Sequence, residues 1–282
     1  MRLTDISTVK NIMSENGLSF KKSLGQNFLI NEAVPCKTAE TGAGEYVLEI
    51  GPGIGTLTRE LAKRAKKVVA VEIDSDLIPV LEQTLSDFDN VTVINADIMK
   101  TDLVTLVKEN FNGKKVCVCA NLPYYITTPI IMKIFESGIP LERVTVMVQK
   151  EVADRICAEA GSADYGSISA AIAYYGKAHR AFKVSAGSFM PAPKVDSAVV
   201  RIDVYENCPY QVKSKENFFR IIKAAFGMRR KTLVNTLSGE FSLSKQQMCE
   251  IITDCGFPVD VRGEKLSAAD FALVENKISK IK

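Results

Sequence analysis

The chain has 282 residues, of which 46% are hydrophobic and 24% are charged, a composition typical of a globular protein with one large domain and a smaller one. No apolar run approaches the roughly 18 to 20 residues that a membrane span needs, and charged residues interrupt the N-terminus where a signal peptide would be apolar. We therefore expect a cytoplasmic protein without a membrane segment.

The net charge of +3 is unevenly distributed along the chain. Residues 1–205 carry 23 Lys and Arg against 24 Asp and Glu, whereas residues 206–282 carry 13 against 9, so their net charges are −1 and +4. A basic C-terminal part suggests a polyanionic partner.

The cysteines and the histidine indicate neither a metal site nor a catalytic triad. The seven cysteines include no Cys-x-x-Cys pair, and His179 is the single histidine. Cys117 and Cys119 alternate with valines in a strand-like run, which predicts small buried side chains in a reducing compartment. We therefore predict no bound metal.

Short β-branched runs alternate with amphipathic helical runs from Tyr46 onward. A short leading helix, ended by Gly17, precedes them. The strands are predicted at YVLEI, KVVAVEI, VTVINA, KVCVCA and RVTVMVQ, and the helices at TLTRELAKRA, SDLIPVLEQTLSDF, TPIIMKIFESG and KEVADRICAEA. This alternation predicts βαβ units and a parallel sheet.

The pattern changes after about Ala178. Two β-like runs, AHRAFKVS and SAVVRIDVYE, flank a loop that contains proline, which is typical of an antiparallel edge pair. From Lys213 onward, helical spacing is found in KENFFRIIKAAFG, KTLVNTLSG, SKQQMCEIITDCG and AADFALVENKISKI. We therefore predict an α/β domain over residues 1–205 and a small all-helical domain over residues 206–282.

A glycine loop follows the first predicted sheet strand. Gly51, Gly53 and Gly55, in EIGPGIGTLT, let the chain turn tightly and let a ligand approach the main chain. Their G-x-G-x-G spacing departs from the G-x-G-x-x-G of dinucleotide sites, and no Gly-Lys-Ser or Gly-Lys-Thr follows to hold phosphates and magnesium. A nucleoside without phosphates fits this loop better.

Polar side chains stand at the ends of the neighbouring strands. Glu72 ends VAVE, where a carboxylate can accept hydrogen bonds from both ribose hydroxyls, and Asp97 follows the next strand. Ligands of open α/β sheets lie across the carboxyl ends of the strands, so Glu72, Asp97, Asn121 and the glycine loop should share one cleft. The alternative is that Glu72 and Asp97 are polar only because they end strands, with no role in binding a ligand. The pattern resembles the S-adenosylmethionine (SAM) site of class I methyltransferases.

The stretch NLPYY, residues 121–125, resembles the Asn/Asp-Pro/Leu-Pro-Tyr motif of enzymes that methylate exocyclic amino groups of nucleic-acid bases. An adenine N6 amine is a weak nucleophile, so the site needs acceptors for both of its N–H bonds. The Asn121 side-chain oxygen and the Leu122 carbonyl, fixed by Pro123, can supply them. Tyr124 can stack on an extruded base, whereas we expect Tyr125 to pack or to support its neighbours. A strand-end loop with a buried tyrosine is the alternative.

Eight segments, in order, resemble one family along nearly the whole chain: the ribosomal RNA adenine dimethyltransferases, most closely those of the small subunit. The segments are KKSLGQNFL, VLEIGPGIGTLTREL, VVAVEID, NADIM, NLPYYITTPI, VMVQKEVADRI, GSFMPAPKVDSAVVRI and AAFGMRRKTLVNTL. The resemblance implies a Rossmann-like class I methyltransferase domain with a seven-stranded, mostly parallel sheet, followed by a small helical domain. It also implies an enzyme that uses SAM to convert two adjacent adenines of 16S rRNA to N6,N6-dimethyladenosine.

The same resemblance implies roles for individual residues. Cofactor contacts are implied for Asn27, Leu29, Gly51, Gly53, Glu72, Asp97 and Asn121. Catalytic positions are implied for Asn121, Leu122, Tyr124 and Phe189. Phe189 matches an aromatic that closes the target pocket opposite Tyr124. A proline-rich loop is a poor place to bury a ring, although core packing is the alternative.

The sequence also offers cations for RNA phosphates. They are Lys21, Lys22, Arg229, Arg230 and Lys231, for which a solvated surface is the alternative reading. The family resemblance implies a partner, the small-subunit rRNA within an immature 30S ribosomal particle. We expect the protein to act as a monomer.

Three other functions stay open at this point. A large-subunit rRNA adenine methylase that confers antibiotic resistance shares the cleft, but APKVDSAVV and RRKT favour the small-subunit enzyme. The intact motif at residues 121–124 disfavours a non-catalytic ribosome-assembly or transcription factor on the same fold. The glycine spacing disfavours an NAD-dependent dehydrogenase.

Overall fold

A computed structural model describes residues 1–281, apart from the side chain of Lys22. The strands in this part of the chain are β1 (Phe28–Leu29), β2 (Tyr46–Ile50), β3 (Lys67–Glu72), β4 (Val91–Asn95), β5 (Val116–Asn121), β6 (Leu141–Gln149), β7 (Gly176–Val184), β8 (Phe189–Met190) and β9 (Ser197–Val204). The α-helices are α1 (Ile6–Glu15), α2 (Ala33–Gly42), α3 (Thr56–Ala62), α4 (Ile78–Thr84), α5 (Leu103–Phe111), α6 (Thr127–Glu136), α7 (Lys150–Ile156), α8 (Ser167–Tyr175), α9 (Lys215–Gly227), α10 (Leu233–Phe241), α11 (Lys245–Asp254) and α12 (Ala268–Ile278). Within the described residues, none of these helices is long and apolar enough to cross a membrane.

Seven of the described strands form the main sheet, in the order β4-β3-β2-β5-β6-β9-β7. β2 pairs in parallel with β3 and β5, β3 with β4, and β5 with β6. β9 is antiparallel to β6, and β7 lies beside it at the edge. The predicted Rossmann-like sheet is therefore confirmed. Because β2, β3 and β5 are parallel neighbours, the residues that follow them meet at one edge of the sheet.

The central strands are buried because helices cover both faces of a parallel sheet. Val47, Leu48 and Val69 are fully buried, and so are Cys117 and Cys119 of β5, which are free thiols as predicted. Burial raises the pKa of the Cys117 thiol to about 12, which keeps it protonated. These cysteines serve as small core residues.

A second, two-stranded pair lies apart from the main sheet. β1 and β8 are antiparallel, with Phe28 opposite Met190 and Leu29 opposite Phe189. The sequence analysis predicted neither strand, because two-residue strands are too short to show a periodicity. This pair fixes the segment that carries Asn27 and Leu29 beside the one that carries Phe189.

The chain divides into two compact units: Met1–Ala153 with His179–Val204, and Asp154–Ala178 with the residues from Tyr205 onward. The second unit differs from the predicted 206–282 domain by the addition of residues 154–178. Tyr165 and Ala170 of this segment belong to the apolar core of the second unit, and the Tyr165 hydroxyl donates to the Leu266 carbonyl at 2.8 Å. These contacts explain why the segment lies with the C-terminal helices.

The four helices predicted in the C-terminal region are present. Their first turns begin at capping side chains, Ser214, Thr232, Ser244 and Ser267, whose oxygens accept hydrogen bonds from main-chain N–H groups. The predicted leading helix is also present as α1, and Gly17 follows it with a φ of +62°. α8 was missed because its run SISAAIAYY has too little polar patterning to show a helical face.

Candidate active site

A cavity lies at the carboxyl ends of β2, β3 and β5, in the first compact unit. Its walls come from the N-terminal segment 24–29, from the glycine loop and the start of α3, from the end of β3, and from residues 121–124 after β5. The predicted site residues that line it are Asn27, Leu29, Gly51, Gly53, Glu72, Asn121, Leu122 and Tyr124. The topology therefore brings together residues that are far apart in the sequence.

The glycine loop adopts a left-handed backbone conformation that residues with a Cβ atom rarely adopt. Gly51, Gly53 and Gly55 have φ values of +68°, +62° and +87°. A Cβ on Gly53 would lie 3.2 Å from the ring of Phe28, so this glycine also permits a close approach of the N-terminal segment. The main chain of the loop is exposed to the cavity as a result.

The Glu72 carboxylate forms one wall of the cavity. The side chain is almost fully buried, with 5% of its surface exposed. Its oxygens accept hydrogen bonds from the main-chain N–H groups of Gly53, at 3.1 Å, and Asp74, at 2.8 Å. Burial raises the pKa of Glu72, while these hydrogen bonds act in the opposite direction. Each carboxylate oxygen can accept a further hydrogen bond, so Glu72 can still receive a hydroxyl.

A second carboxylate, Glu49 of β2, also lines the cavity. It is 1% exposed, and its Oε2 atom has no hydrogen-bond partner among the described residues. Burial raises the pKa of Glu49 to about 8, the Thr58 side chain lowers it, and the nearby charge of Glu72 raises it further. The sequence analysis did not select Glu49, although an acid inside the apolar run YVLEI is a visible signal. We call Glu49, Gly51, Gly53 and Glu72 the Glu72 end of the cavity.

Asn121 is the last residue of β5 and faces the cavity. Its side-chain nitrogen donates to the Asn27 carbonyl at 3.3 Å, which leaves the side-chain oxygen as an acceptor. The following turn is fixed because the Pro123 carbonyl accepts hydrogen bonds from Ile126 N, at 3.3 Å, and from Thr127 Oγ1, at 3.0 Å. We call residues 121–124 the Asn121 end of the cavity.

The two tyrosines of this loop occupy different environments. Tyr124 is half-buried, lines the cavity, and its hydroxyl is 2.7 Å from Ser197 Oγ. Burial raises the pKa of Tyr124, and the hydrogen bond to Ser197 lowers it. Tyr125 is 63% exposed, so it does not pack in the core, although it can support the N-terminal segment as expected. Its ring lies over Gly25, where a Cβ would be 3.6 Å from the ring.

Phe189 and Asp97 lie outside the cavity lining formed by the described residues. Phe189 is 2% exposed and belongs to an apolar cluster with Leu29 and Met147. The expectation that this loop cannot bury a ring is wrong, because the β1–β8 pairing holds Phe189 against the core. Asp97 accepts a hydrogen bond from Met99 N at 2.9 Å, which is a turn-capping arrangement. Their functional roles stay predictions.

The N-terminal cations differ from what the sequence suggested. The Lys21 ammonium is 2.6 Å from Asp74 Oδ1 and 2.7 Å from Asp76 Oδ2. Two carboxylates of its own chain therefore hold the Lys21 charge, and its contact with RNA phosphates stays a prediction. The side chain of Lys22 lies outside the described part of the structure.

The basic residues of the second unit are on its surface. Arg229, Arg230 and Lys231 are exposed in the turn between α9 and α10. Arg229 also donates to the Tyr165 carbonyl at 2.9 Å, which fixes one end of this cluster. The cluster can therefore present positive charge to solvent, and its role in RNA binding stays a prediction.

The cavity has the chemistry that SAM requires. The positive-φ glycines leave room for a ligand against the main chain, and Glu72 can accept hydrogen bonds from ribose hydroxyls. Glu49 also contributes a buried carboxyl oxygen that lacks a partner in the described chain and can bond to a polar group of the ligand. The sheet order and this site define a class I SAM-dependent methyltransferase.

Comparison with known proteins identifies the family. The family model of ribosomal RNA adenine dimethylases matches residues 17–280, and the chain belongs to this family. The chain is 46% identical over 281 residues to the ribosomal RNA small subunit methyltransferase A of Clostridioides difficile (strain 630), covering 99% of this chain and 97% of the relative. It is 51% identical over 259 residues to the protein of that name from Lachnoclostridium phytofermentans, covering 90% and 89%. The resemblance inferred from the sequence is confirmed, and the chain is a SAM-dependent enzyme.

Solved structures agree with this assignment. A dimethyladenosine transferase from Plasmodium falciparum matches with a TM-score of 0.75 at 25% identity, covering 90% of this chain and 98% of the other. The 23S rRNA methyltransferase ErmE matches with a TM-score of 0.69 at 24% identity, covering 90% and 100%, and at that identity supports the fold only.

Proposed function

We propose that this enzyme transfers methyl groups from SAM to N6 of two adjacent adenines in small-subunit (16S) rRNA, giving N6,N6-dimethyladenosine during ribosome biogenesis. The observation that carries the proposal is the position of Asn121, which lines one cavity together with Glu72 and the glycine loop. The two relatives compared above are both named ribosomal RNA small subunit methyltransferase A, which supports the small subunit as the source of the target.

The Glu72 end of the cavity is proposed to hold the cofactor. Glu72 receives the ribose hydroxyls, and Gly51 and Gly53 lie along the methionine part. Asn27 and Leu29 cover the ligand from the N-terminal segment, and Asp97 is proposed to meet the adenine from beyond the present lining. SAM, when bound, would supply an electrophilic methyl group, which an aligned nucleophile would attack in line as the methyl–sulfur bond breaks and the neutral thioether leaves.

The Asn121 end is proposed to hold the target amine. The Asn121 side-chain oxygen and the Leu122 carbonyl accept hydrogen bonds from the two N–H groups, and this interaction directs the nitrogen lone pair toward the methyl group. The proton of the methylated amine is released to water, so no general base is required. Catalysis consists mainly of positioning, which can supply roughly 7–11 kcal/mol.

Two aromatic side chains are proposed to contact the base. Tyr124 offers a half-buried ring whose hydroxyl is anchored to Ser197. Phe189 can stack on the opposite face only if its ring leaves the cluster in which it is now buried. Phe189→Ala should therefore weaken methylation more than SAM affinity, whereas Phe189→Leu, which keeps the core filled, separates loss of stacking from loss of packing. Equal losses of methylation and SAM affinity in Phe189→Ala would assign the ring to packing.

The proposed partner is rRNA within an immature 30S ribosomal particle. Arg229, Arg230 and Lys231 offer exposed cations that can bind phosphates, and a high density of phosphate contacts makes such binding sensitive to salt. We further propose that the protein acts in the cytoplasm as a monomer.

The test is methyl transfer from SAM labelled in its methyl group to purified ribosomal particles. We expect label in small-subunit particles that lack the modification, mass spectrometry that locates two methyls on each of two neighbouring adenines, and no transfer by Asn121→Ala. Label in large-subunit RNA alone would assign the enzyme to the antibiotic-resistance type of activity. Absence of label from both subunits, with SAM binding intact, would favour a non-catalytic assembly role.

A further inference from the structure

The N-terminal strap, residues 20–29, crosses the cavity and contacts both of its ends. Phe28 packs against Gly53 of the Glu72 end, and the Asn27 carbonyl accepts a hydrogen bond from the side chain of Asn121. Leu24 to Leu29 form part of the cavity wall. One wall of the cavity therefore belongs to a short, separate segment of the chain.

A cluster of four side chains fastens this strap to the loop after β3. The Lys21 ammonium donates to Asp74 Oδ1 at 2.6 Å and to Asp76 Oδ2 at 2.7 Å. The Gln26 side-chain nitrogen donates to Asp74 Oδ2 at 2.7 Å, and its oxygen accepts from Lys21 N at 2.9 Å. Lys21 and Gln26, which lie five positions apart in the strap, thus both bind the Asp74 carboxylate.

Asp74 is the fixed member of this clasp. Only 3% of its side chain is exposed, whereas the side chain of Lys21 is 36% exposed. Burial acts against the ionisation of Asp74, but the hydrogen bonds from Lys21, Asp76 N and Gln26 outweigh burial and lower its pKa. Asp74 also follows Glu72 by two residues and donates its main-chain N–H to the Glu72 carboxylate at 2.8 Å. The clasp is therefore attached directly to the wall of the cavity.

We propose that Asp74, together with Lys21 and Gln26, is a positioning device that holds the N-terminal strap closed over the cavity and sets the residence time of SAM. The inference rests on the proposed function in one respect, namely that the Glu72 end holds SAM. It assigns to Lys21 a role within the protein in place of the phosphate contact that its charge suggested. Charge-assisted hydrogen bonds to the buried Asp74 carboxylate are suited to this role because they are directional and because a buried carboxylate is costly to leave unpaired.

The experiment measures the dissociation rate of SAM from Lys21→Ala, Asp74→Asn and the double variant, beside steady-state KM and kcat. Asparagine at position 74 keeps an oxygen that can cap the turn at Asp76 N but removes the charge that Lys21 binds. We expect dissociation to be faster on the order of tenfold in each single variant, with KM for SAM rising more than kcat falls. The double variant should be no worse than either single variant, because both changes open one clasp. Lys21→Arg should restore part of the loss.

The matched control is Lys66→Ala, which removes a lysine paired with Glu45 at 2.7 Å on the protein surface. It should leave dissociation unchanged. One outcome would assign Lys21 to RNA binding and refute the clasp. In that outcome, Lys21→Ala weakens RNA binding and Asp74→Asn does not, while SAM dissociates from both variants at the wild-type rate. Unchanged dissociation of SAM in all clasp variants, together with weaker SAM binding in Glu72→Gln than in the wild type, refutes the clasp alone. A wild type that binds no SAM refutes the proposed function.

If the variants fail to fold, hydrogen exchange of the wild-type protein still tests the proposal. Amides of residues 20–29 should exchange more slowly when SAM is bound, and the protection should be lost at high salt before that of α3, because the clasp is ionic. Exchange in the strap that does not respond to SAM would overturn the proposal.

Discussion

The two ends of the cavity are built differently. At the Glu72 end, Glu49 and Glu72 are 1% and 5% exposed, and main-chain N–H groups hold Glu72 in place. At the Asn121 end, Asn121 and Tyr124 are half-buried, and the adjoining Tyr125 is 63% exposed. The acidic side chains of the Glu72 end are therefore enclosed and fixed, whereas the amide and the aromatic ring of the Asn121 end are partly accessible to solvent.

This difference matches the two ligands that are proposed to meet in the cavity. A small cofactor can be enclosed by the protein, whereas a base that belongs to an RNA must enter from outside and be extruded into the site. Changes at the Glu72 end should therefore act mainly on cofactor affinity, and changes at the Asn121 end mainly on the target and on turnover. Substitutions at each end can test whether the two ligands are bound separately in this way.

The largest effect is expected for Asn121→Ala. The change removes the side-chain acceptor for the target amine and the hydrogen bond to the Asn27 carbonyl. We expect kcat to fall by at least roughly 10²- to 10³-fold, because misplaced reacting groups cost about that much, while SAM binding measured by calorimetry stays detectable. Asn110→Ala, which removes a helix-surface amide bonded to the Leu106 carbonyl, is the matched control. A fully active Asn121→Ala enzyme would remove Asn121 from the mechanism.

A smaller effect, confined to the affinity for SAM, is expected for Glu72→Gln. Glutamine keeps the size of the side chain but loses a charged acceptor for the ribose hydroxyls, and hydrogen bonds to charged groups contribute about 1.5–3 kcal/mol. The Kd of SAM should therefore rise roughly 10- to 100-fold, while the KM for RNA changes little. Glu82→Gln, an exposed carboxylate on α4, is the control. Equal losses in SAM and RNA affinity would mean that the two ends are not separate.

Much of the Glu72 end could be predicted from the sequence, because glycines and acids at strand ends are local signals. G-x-G-x-G and Glu72 directly follow runs of buried β-branched residues, and parallel strands bring their carboxyl ends together. The same reasoning placed Asn121 at this edge. The predicted strands β2 to β6 and the four C-terminal helices are present for the same reason, since their hydrophobic periods are clear.

Features that depend on contacts between distant residues could not be predicted. The burial of Phe189 depends on the pairing of two-residue strands separated by about 160 residues, for which no local pattern exists. Lys21 looked like a surface cation because the sequence does not reveal that Asp74 and Asp76 lie beside it. Tyr125 differs from Tyr124 only in the direction of its ring, which the turn after Pro123 decides.

Tyr124 separates stacking from hydrogen bonding at the Asn121 end. Tyr124→Phe keeps the ring and loses the 2.7 Å contact with Ser197, whereas Tyr124→Ala loses both. We expect the alanine variant to lose about 1–3 kcal/mol of RNA binding, the usual contribution of a stacked base, and the phenylalanine variant to lose less. Filter binding of RNA and calorimetry with SAM measure the two affinities. A Tyr124→Phe variant as impaired as Tyr124→Ala would show that the hydroxyl, and not the ring, carries the interaction.

The last prediction concerns the pH dependence of stability and not ligand binding, and it tests how enclosed the Glu72 end is. Burial raises the pKa of Glu49 to about 8 from an ordinary value of 4.5. Between these two values the native state retains a proton that the unfolded state has lost, so the free energy of unfolding falls as the pH rises, by at most about 1.4 kcal/mol per pH unit for one proton. Glu49→Gln has no proton to lose. Its free energy of unfolding relative to wild type should therefore increase from about pH 5 to about pH 8 and then level off.

Urea unfolding of the cofactor-free proteins over this pH range measures that difference, and subtraction of the two curves isolates Glu49 from its neighbours. Three other groups lie near the Glu49 carboxyl. They are Glu72 of β3, whose pKa is also raised, Thr58 of α3 and Cys119 of β5. These groups are present in both proteins, so their common contribution cancels to first order. Glu109→Gln, which alters an exposed carboxylate on α5, is the matched control. A difference for Glu49→Gln that is constant or declines with rising pH would mean that water reaches this carboxylate, and the Glu72 end would then be as open as the Asn121 end.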